Sequence, residues 1–327
     1  MRRREFIMLL GGAAITWPLA ARAQQSERMR RIGVLARFNK NDPELQVNLA
    51  AFKQRLVDLG WTDGRNVAID YRFTSGSAEY IRTVAGELVA TTPDVIFAGS
   101  NVSVAALPLA ANITPIVFTQ VSDPVGSGFV ASLARPGGNI TGFQSYEPAI
   151  GGKWLEVLRE IAPGVSRVAV VHNPNVTANV AFLHAAETAA TSLGVTLTAA
   201  GVRDAADIEC ILTAFAREPN GGIIVTPSPV TNTTEKRELI IALAAWLGLP
   251  AIYPYRLSAA SSGLISYSYD QMAQWQGGAS YVDRVLRGAK PAELPVQAPT
   301  KYEMVINLKT AKALGITGVT NAPHACR

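Results

Sequence analysis

The residues of this chain best placed to do chemistry sit just after short apolar runs, where a parallel sheet would open onto a ligand. Asn39 follows the run at 32–36. Ser100 and Asn101 follow the run at 95–98 and open a helical pattern. A hydroxyl and free backbone N–H groups at a helix start suit a carboxylate, and the same pair also reads as an ordinary N-cap. Thr119 closes the run at 116–119, with Gln120, Ser122 and Asp123 next. Asp123 before Pro124 could pair with a ligand amine or simply initiate a turn. In the second half, Asn173 and Asn175 follow 168–171, Thr226 follows 222–225, and Tyr253 and Tyr267 end later runs. Such tyrosines stack on a ring or serve as amphipathic walls. These ten positions form the candidate ligand-binding set, and their chemistry is that of holding a small charged molecule.

Motifs for covalent or cofactor chemistry are absent from the sequence. It has no G-x-S-x-G elbow, H-E-x-x-H, P-loop or complete G-x-G-x-x-G. Gly126-Ser127-Gly128 is a loop glycine pair, and 136–139 reads as a turn. The three histidines, 172, 184 and 324, share no ligand spacing with one another or with cysteine. The expectation is therefore no metal, no cofactor and no enzymatic activity. Cys210 lies in an amphipathic pattern and is expected to be a buried small hydrophobe, while Cys326 is the penultimate residue.

The elements that must position these residues alternate. Strand-like runs at 32–36, 67–73, 95–98 and 116–119 are interleaved with helical spacing at 43–59, 78–91 and 102–111. The pattern restarts with helix 152–161. Strands at 168–171, 195–199, 222–225 and 251–253 then alternate with helices 178–193, 205–216 and 234–247. A strand at 262–267, a helix at 271–286, a strand at 302–306 and a helix at 308–314 complete the chain. Two successive βαβα blocks predict two doubly wound parallel-sheet lobes with helices on both faces. A 48% hydrophobic, 7% aromatic composition over 327 residues suits two aliphatic cores of ordinary size.

Export is the remaining signal. Arg2-Arg3-Arg4, an uncharged apolar stretch at 7–21 and Ala21-Arg22-Ala23 before Gln24 form a cleaved secretory signal over 1–23. Arg3-Arg4-Glu5-Phe6-Ile7 fits the twin-arginine pattern, with Arg2 where Ser or Thr is usual, and a general secretory signal is the alternative. The formal charge of +5 owes much to this segment, so the mature chain is too mildly basic to argue for nucleic acid. No later stretch is long and apolar enough to span a bilayer, and the expected location is the periplasm.

Several segments together resemble one family. PIVFTQVSDPVGSGFVASLARPGGNITG at 115–142 is similar to a signature of ABC-transporter substrate-binding proteins, a group that includes tryptophan- and aromatic-amino-acid-binding members. Leu59-Gly60-Trp61, DGRNV at 63–67, GLISY at 263–267, GAKPAELPV at 288–296 and INLKTAKALG at 306–315 follow in family order. The resemblance implies the type I periplasmic binding protein fold, with two lobes joined by a three-segment hinge and the ligand between them. It implies lobe one at 30–145 plus 268–290 and lobe two at 146–267 plus 291–316, while the tail at 317–327 departs from the family pattern. It places Ser100, Asn101, Thr119 and Asp123 near the cleft, with Asn173, Thr226 and Tyr267 matched to it more weakly. The implied function is capture of a small organic solute, amino acid or carboxylate-like, by a monomer that delivers it to an ABC permease. A ligand-sensing partner of a membrane signalling protein is the alternative, and an exported α/β enzyme a more distant one.

Overall fold

The computed structural model describes residues 28–37, 40–74, 77–108, 113–316 and 325–326. The export signal at 1–23, Asn39 and most of the tail at 317–327 lie outside the described residues. Two sheets carry the fold. The first has the order β2-β1-β3-β4-β5, from Val67–Thr74, Arg30–Arg37, Val95–Gly99, Ile116–Val121 and Ile140–Gln144. All of its pairings are parallel. The strands between its edges are largely buried and mostly apolar because helices cover both faces. Helices α1 (Pro43–Asp58), α2 (Ala78–Ala90) and α3 (Asn101–Ala106) connect them.

The second sheet has the order β12-β11-β10-β9-β8-β6-β7. Its strands are Ala325–Cys326, Tyr302–Asn307, Ile265–Tyr269, Ala251–Tyr253, Gly221–Val225, Arg167–His172 and Thr196–Gly201. β11 runs antiparallel to β10, and the other pairings are parallel. The helices of this half are α4 (Ile150–Ile161), α5 (Thr177–Leu193), α6 (Ala205–Phe215), α7 (Thr234–Trp246), α8 (Arg256–Ala260) and α10 (Leu308–Ala313), and α9 (Gln271–Leu286), between the last two in the chain, returns to the first sheet. Each sheet separates two apolar clusters, so each lobe has its own core on both faces. The two doubly wound lobes are those that the sequence pattern predicts.

Several details differ from the sequence reading. α3 stops at Ala106 rather than at 111, because Leu107 precedes Pro108 and takes an extended ψ of 141°. β5 escaped the pattern because Gly142 interrupts it. That glycine has φ 155°, and a Cβ there would lie 2.1 Å from the Phe118 carbonyl oxygen, so only glycine fits. The strand expected at 262–267 is Ile265–Tyr269, since Ser262 turns the chain with φ 83°. α8 was not foreseen. Cys210 is exposed on α6, against the expectation of burial.

The lobes exchange the chain at later points than expected. Tyr269 still pairs within the second sheet, so residues 268–269 belong to lobe two. After it, α9 buries Trp275, Ala279 and Val282 in the lobe-one core beside Phe52 and Phe97. Gly278 allows this approach, because a Cβ there would meet the Phe97 ring at 2.4 Å. Residues 294–297 also stay with lobe one. Leu294 and Val296 are in its clusters, and the Gln297 N–H donates to the Gly142 carbonyl at 3.0 Å. The last crossing therefore follows Gln297 rather than 290.

Candidate functional site

Three crossings bring three tyrosines to one place. Tyr146, Tyr269 and Tyr302 each stand at one crossing, with ring centroids 4.9 Å apart for the first two and 6.4 Å for Tyr146–Tyr302. Tyr146 also packs edge-on against Trp154 at 5.3 Å, and its hydroxyl donates to the Pro254 carbonyl. Burial pushes the Tyr146 and Tyr269 hydroxyls well above the usual tyrosine range. Burial, with Glu147 nearby, moves Tyr302 to about 12. This aromatic bearing holds the hinge beneath the cleft.

Above it the lobes approach until the space between them is a cavity of ≈20 Å³, room for about one water. α1 supplies Glu44 and Asn48, one turn apart on one helix face. Asp42 caps that helix by accepting from the Leu45 N–H at 3.0 Å, with Pro43 at its start and Glu44 near the positive end of the dipole. Ser100 caps α3 through the Ser103 N–H at 3.1 Å. Gln120 has φ 55° within β4, where the register to β5 shifts, and its own N–H donates to Gln274 Oε1 at 3.4 Å. From α9 come Gln271 and Trp275, and from lobe two come Asn232 and Tyr255.

Two buried donors distinguish this space. Asn232 is 3% exposed and Trp275 1% exposed, and neither Asn232 Nδ2 nor Trp275 Nε1 has a hydrogen-bond partner among the described residues. The Asn232 backbone and the Trp275 ring are both held in place. The Asn232 N–H donates to the Ser228 carbonyl at 3.1 Å in a loop pinned by Thr231 Oγ1 donating to the Thr226 carbonyl at 2.7 Å. The Trp275 ring packs edge-on against Phe97, centroids 5.1 Å apart. Desolvated donors of this kind suit a carboxylate or carbonyl oxygen, and Glu44 lines the same space.

Of the sequence-derived positions, Ser100 and Gln120 line the cavity. Asn101 staples the loop after β4 instead, its Nδ2 donating to the Ser122 carbonyl at 2.7 Å and its Oδ1 accepting the Ser122 N–H at 2.8 Å. Asp123 takes φ 44°, and its carboxylate accepts the Gly126 N–H at 2.9 Å, which is the turn-forming reading of Asp-Pro. Thr119 is fully buried with its hydroxyl 3.5 Å from Gln274 Oε1. Asn173 accepts the N–H of exposed Asn175 at 3.0 Å. The Thr226 hydroxyl is satisfied by the Val171 carbonyl and Asn179 Oδ1 at 3.0 and 2.9 Å. Tyr253 is core, and Tyr267 stacks on Tyr302 with centroids 5.5 Å apart. Tyr255, another of the strand-end tyrosines, also lines the cavity, whereas Glu44, Asn48, Asn232, Gln271 and Trp275 were missed. Asn48 alone left a trace, as a polar residue on the apolar face formed by Leu45, Leu49 and Phe52.

A larger cavity of ≈490 Å³ lies between the loops 162–165, 218–221 and 247–250 of lobe two. Those loops precede β6, β8 and β9, so this is the end of the sheet opposite the ligand-binding side. Among the described residues no helix is long and apolar enough to cross a membrane, and no group of His, Cys, Asp and Glu could hold a metal ion.

Comparison with known proteins bears on the family and the fold. The model of the family described as ABC transporter substrate binding protein matches residues 33–322. A tyrosine-binding protein of Clostridioides difficile strain R20291 is 24% identical over 295 residues, covering 88% of this chain and 82% of the relative. A conserved domain protein of Vibrio cholerae is 26% identical with a TM-score of 0.83, covering 91% of this chain and all of that structure. A Streptococcus pneumonia ABC domain in complex with L-Trp is 23% identical with a TM-score of 0.82, over 91% of this chain and 100% of the other.

Proposed function

The chain belongs to the ABC transporter substrate-binding protein family, whose role is binding a solute rather than catalysis, and on that premise we propose that its solute is an amino acid or a close relative. The observation that carries this reading is the pair of unpartnered donors, Asn232 Nδ2 and Trp275 Nε1, sharing one interlobe space with the Glu44 carboxylate. The space as it stands holds about one water, so a zwitterion would enter only with the lobes parted, its carboxylate accepting from the donors and its ammonium facing Glu44. The tyrosine-binding relative and the L-Trp complex are named for ligands of that class. Glu44 thus takes the amine-binding role that the sequence alone suggested for Asp123.

Closure and binding are linked through those donors. A buried donor left without a partner costs about 1–3 kcal/mol, so the closed arrangement gains when a solute oxygen reaches both. The closed lobes would then present one surface to an ABC permease, with the protein acting as a monomer in the periplasm after twin-arginine export. Thermal unfolding of the chain from Gln24 onward, against a panel of amino acids and simple carboxylates, tests the reading. A solute at about a hundred times its dissociation constant adds roughly 2.7 kcal/mol and raises the midpoint by a few degrees. Selective stabilisation by amino acids supports it. Stabilisation by carboxylates lacking an amine, and by no amino acid, rejects the role given to Glu44.

A further inference from the structure

The two donors in the cavity leave a nearby buried charge unexplained. Arg237 lies on the inner face of α7 with Ile240, Ile241 and Ala244, and is 7% exposed. Its Nε has no hydrogen-bond partner, and none of the ion pairs among the described residues includes it. A guanidinium is always charged, and a buried charge without a counter-charge is among the costliest arrangements in a protein. The start of the helix shows where the missing partner belongs. Thr233 caps α7 by accepting the Lys236 N–H at 3.4 Å, which puts Asn232 just before the cap and Arg237 at the fourth helical position. Side chains at those two positions meet in a hydrophobic staple, and helical side chains lean towards the N-terminus. Here the pair is Asn and Arg instead of two apolar groups, so two unpartnered donors adjoin with no acceptor supplied. That end of α7 opens on the cleft. Asn232 lines the interlobe cavity, and the Thr234 hydroxyl donates to Asp42 Oδ2 of lobe one at 3.4 Å. Asp42 makes no ion pair with Arg237, and its other carboxylate oxygen accepts the Leu45 N–H.

We propose that Arg237 is the counter-charge for the solute's anionic group and the residue that makes the site choose an acid over its neutral amide. The inference rests on the cleft reading above. A carboxylate at the start of α7 gives both donors an acceptor, neutralises the guanidinium and lies on the positive end of the helix dipole. A carboxamide of the same shape offers one carbonyl oxygen, no charge, and an NH2 group that faces other donors. The Arg237 Nε is sealed from solvent as the lobes stand, so the anion enters with the lobes parted, as the small cavity already requires. Because Asn232 and Arg237 both belong to lobe two, that lobe recognises the acid, and Trp275 on α9 adds its donor on closure.

The test is a thermal-shift panel of the proteinogenic L-amino acids and sodium acetate on the mature protein, followed by calorimetric titration with the best-stabilising amino acid and with its carboxamide. Both measurements are repeated on Arg237→Met and Arg237→Gln, two ways of removing the charge while keeping an unbranched side chain. The parent is expected to bind the acid roughly ten- to a hundredfold more tightly than the amide, the worth of a hydrogen bond to a charged group. Each variant is expected to lose a similar factor for the acid and most of the preference over the amide. Each is also expected to unfold no earlier than the parent without solute, because a buried unpaired charge has been removed. Equal affinity of the parent for acid and amide, or a preference undiminished in the variants, overturns the role of Arg237 and leaves the cleft reading intact. Failure of both variants to fold makes Arg237 a structural residue and overturns its role as well. Binding of no amino acid overturns the cleft reading. Arg237 then stands as an anion partner if acetate stabilises the parent and neither variant, and falls otherwise.

Discussion

Replacing Asn232 with leucine should make the free protein more stable and a poorer receptor. The side chain is 3% exposed, and its Nδ2 has no partner among the described residues. Leucine keeps the branching at Cγ while removing that donor. The backbone N–H still donates to the Ser228 carbonyl at 3.1 Å, and the adjoining ≈20 Å³ of space takes up the slight extra bulk. Removing an unsatisfied buried donor recovers part of its cost of about 1–3 kcal/mol. A net gain of about 1 kcal/mol raises the midpoint by roughly 2–4 °C for a domain of this size. Binding should move the other way. A hydrogen bond to a charged acceptor contributes about 1.5–3 kcal/mol, so affinity should fall by roughly ten- to a hundredfold. Thermal unfolding without solute, together with calorimetric titration with the best amino acid from the panel, reads both effects. A variant that unfolds earlier and binds as tightly as the parent would refute the reasoning, and would make Asn232 a structural loop residue.

Three other outcomes follow from the same structure. Tyr146→Phe removes the hydroxyl that donates to the Pro254 carbonyl and should cost about 1 kcal/mol, measured by denaturant unfolding, with the ring packing preserved. Gly142→Ala places a methyl group 2.1 Å from the Phe118 carbonyl oxygen and should cost more than about 3 kcal/mol, seen as loss of folded protein on expression. Alkali should act through the hinge tyrosines. Burial raises Tyr302 to about 12 and lifts Tyr146 and Tyr269 well above the ordinary tyrosine range, so their contribution is fully present below that range and is lost as pH climbs towards the folded values. In a spectrophotometric titration, part of the phenolate signal should therefore appear only as the protein unfolds.

The alternation of strand and helix was legible because buried parallel strands and amphipathic helices leave different periods in a sequence. α9 is an example, expected at 271–286 and observed as Gln271–Leu286. β5 was hidden because Gly142 broke its apolar run, although that glycine is what lets the strand lie against Phe118. The site was legible only in part. Reading strand ends found Ser100, but most polar residues at those ends serve their own loops. Asn101 holds Ser122, Thr226 holds Asn179, and Asp123 holds Gly126. The cavity is lined instead from the first turns of α1 and α9 and from loops of the opposite lobe. Local patterns carry no record of which loop faces which across a hinge. Glu44 and Asn232 became readable only once the two lobes were placed together.

The most direct test of the central claim is to release and identify what the protein holds. The mature chain and its Asn232→Leu variant would be purified without denaturant, then unfolded, and the freed small molecules quantified by mass spectrometry after titration with the amino-acid panel. The account predicts about one equivalent of a single amino acid from the parent, recovered chemically unchanged, and a much smaller fraction from the variant by the loss of a buried charge-assisted hydrogen bond. No stoichiometric amino acid from the parent, or equal retention by the variant, would contradict it.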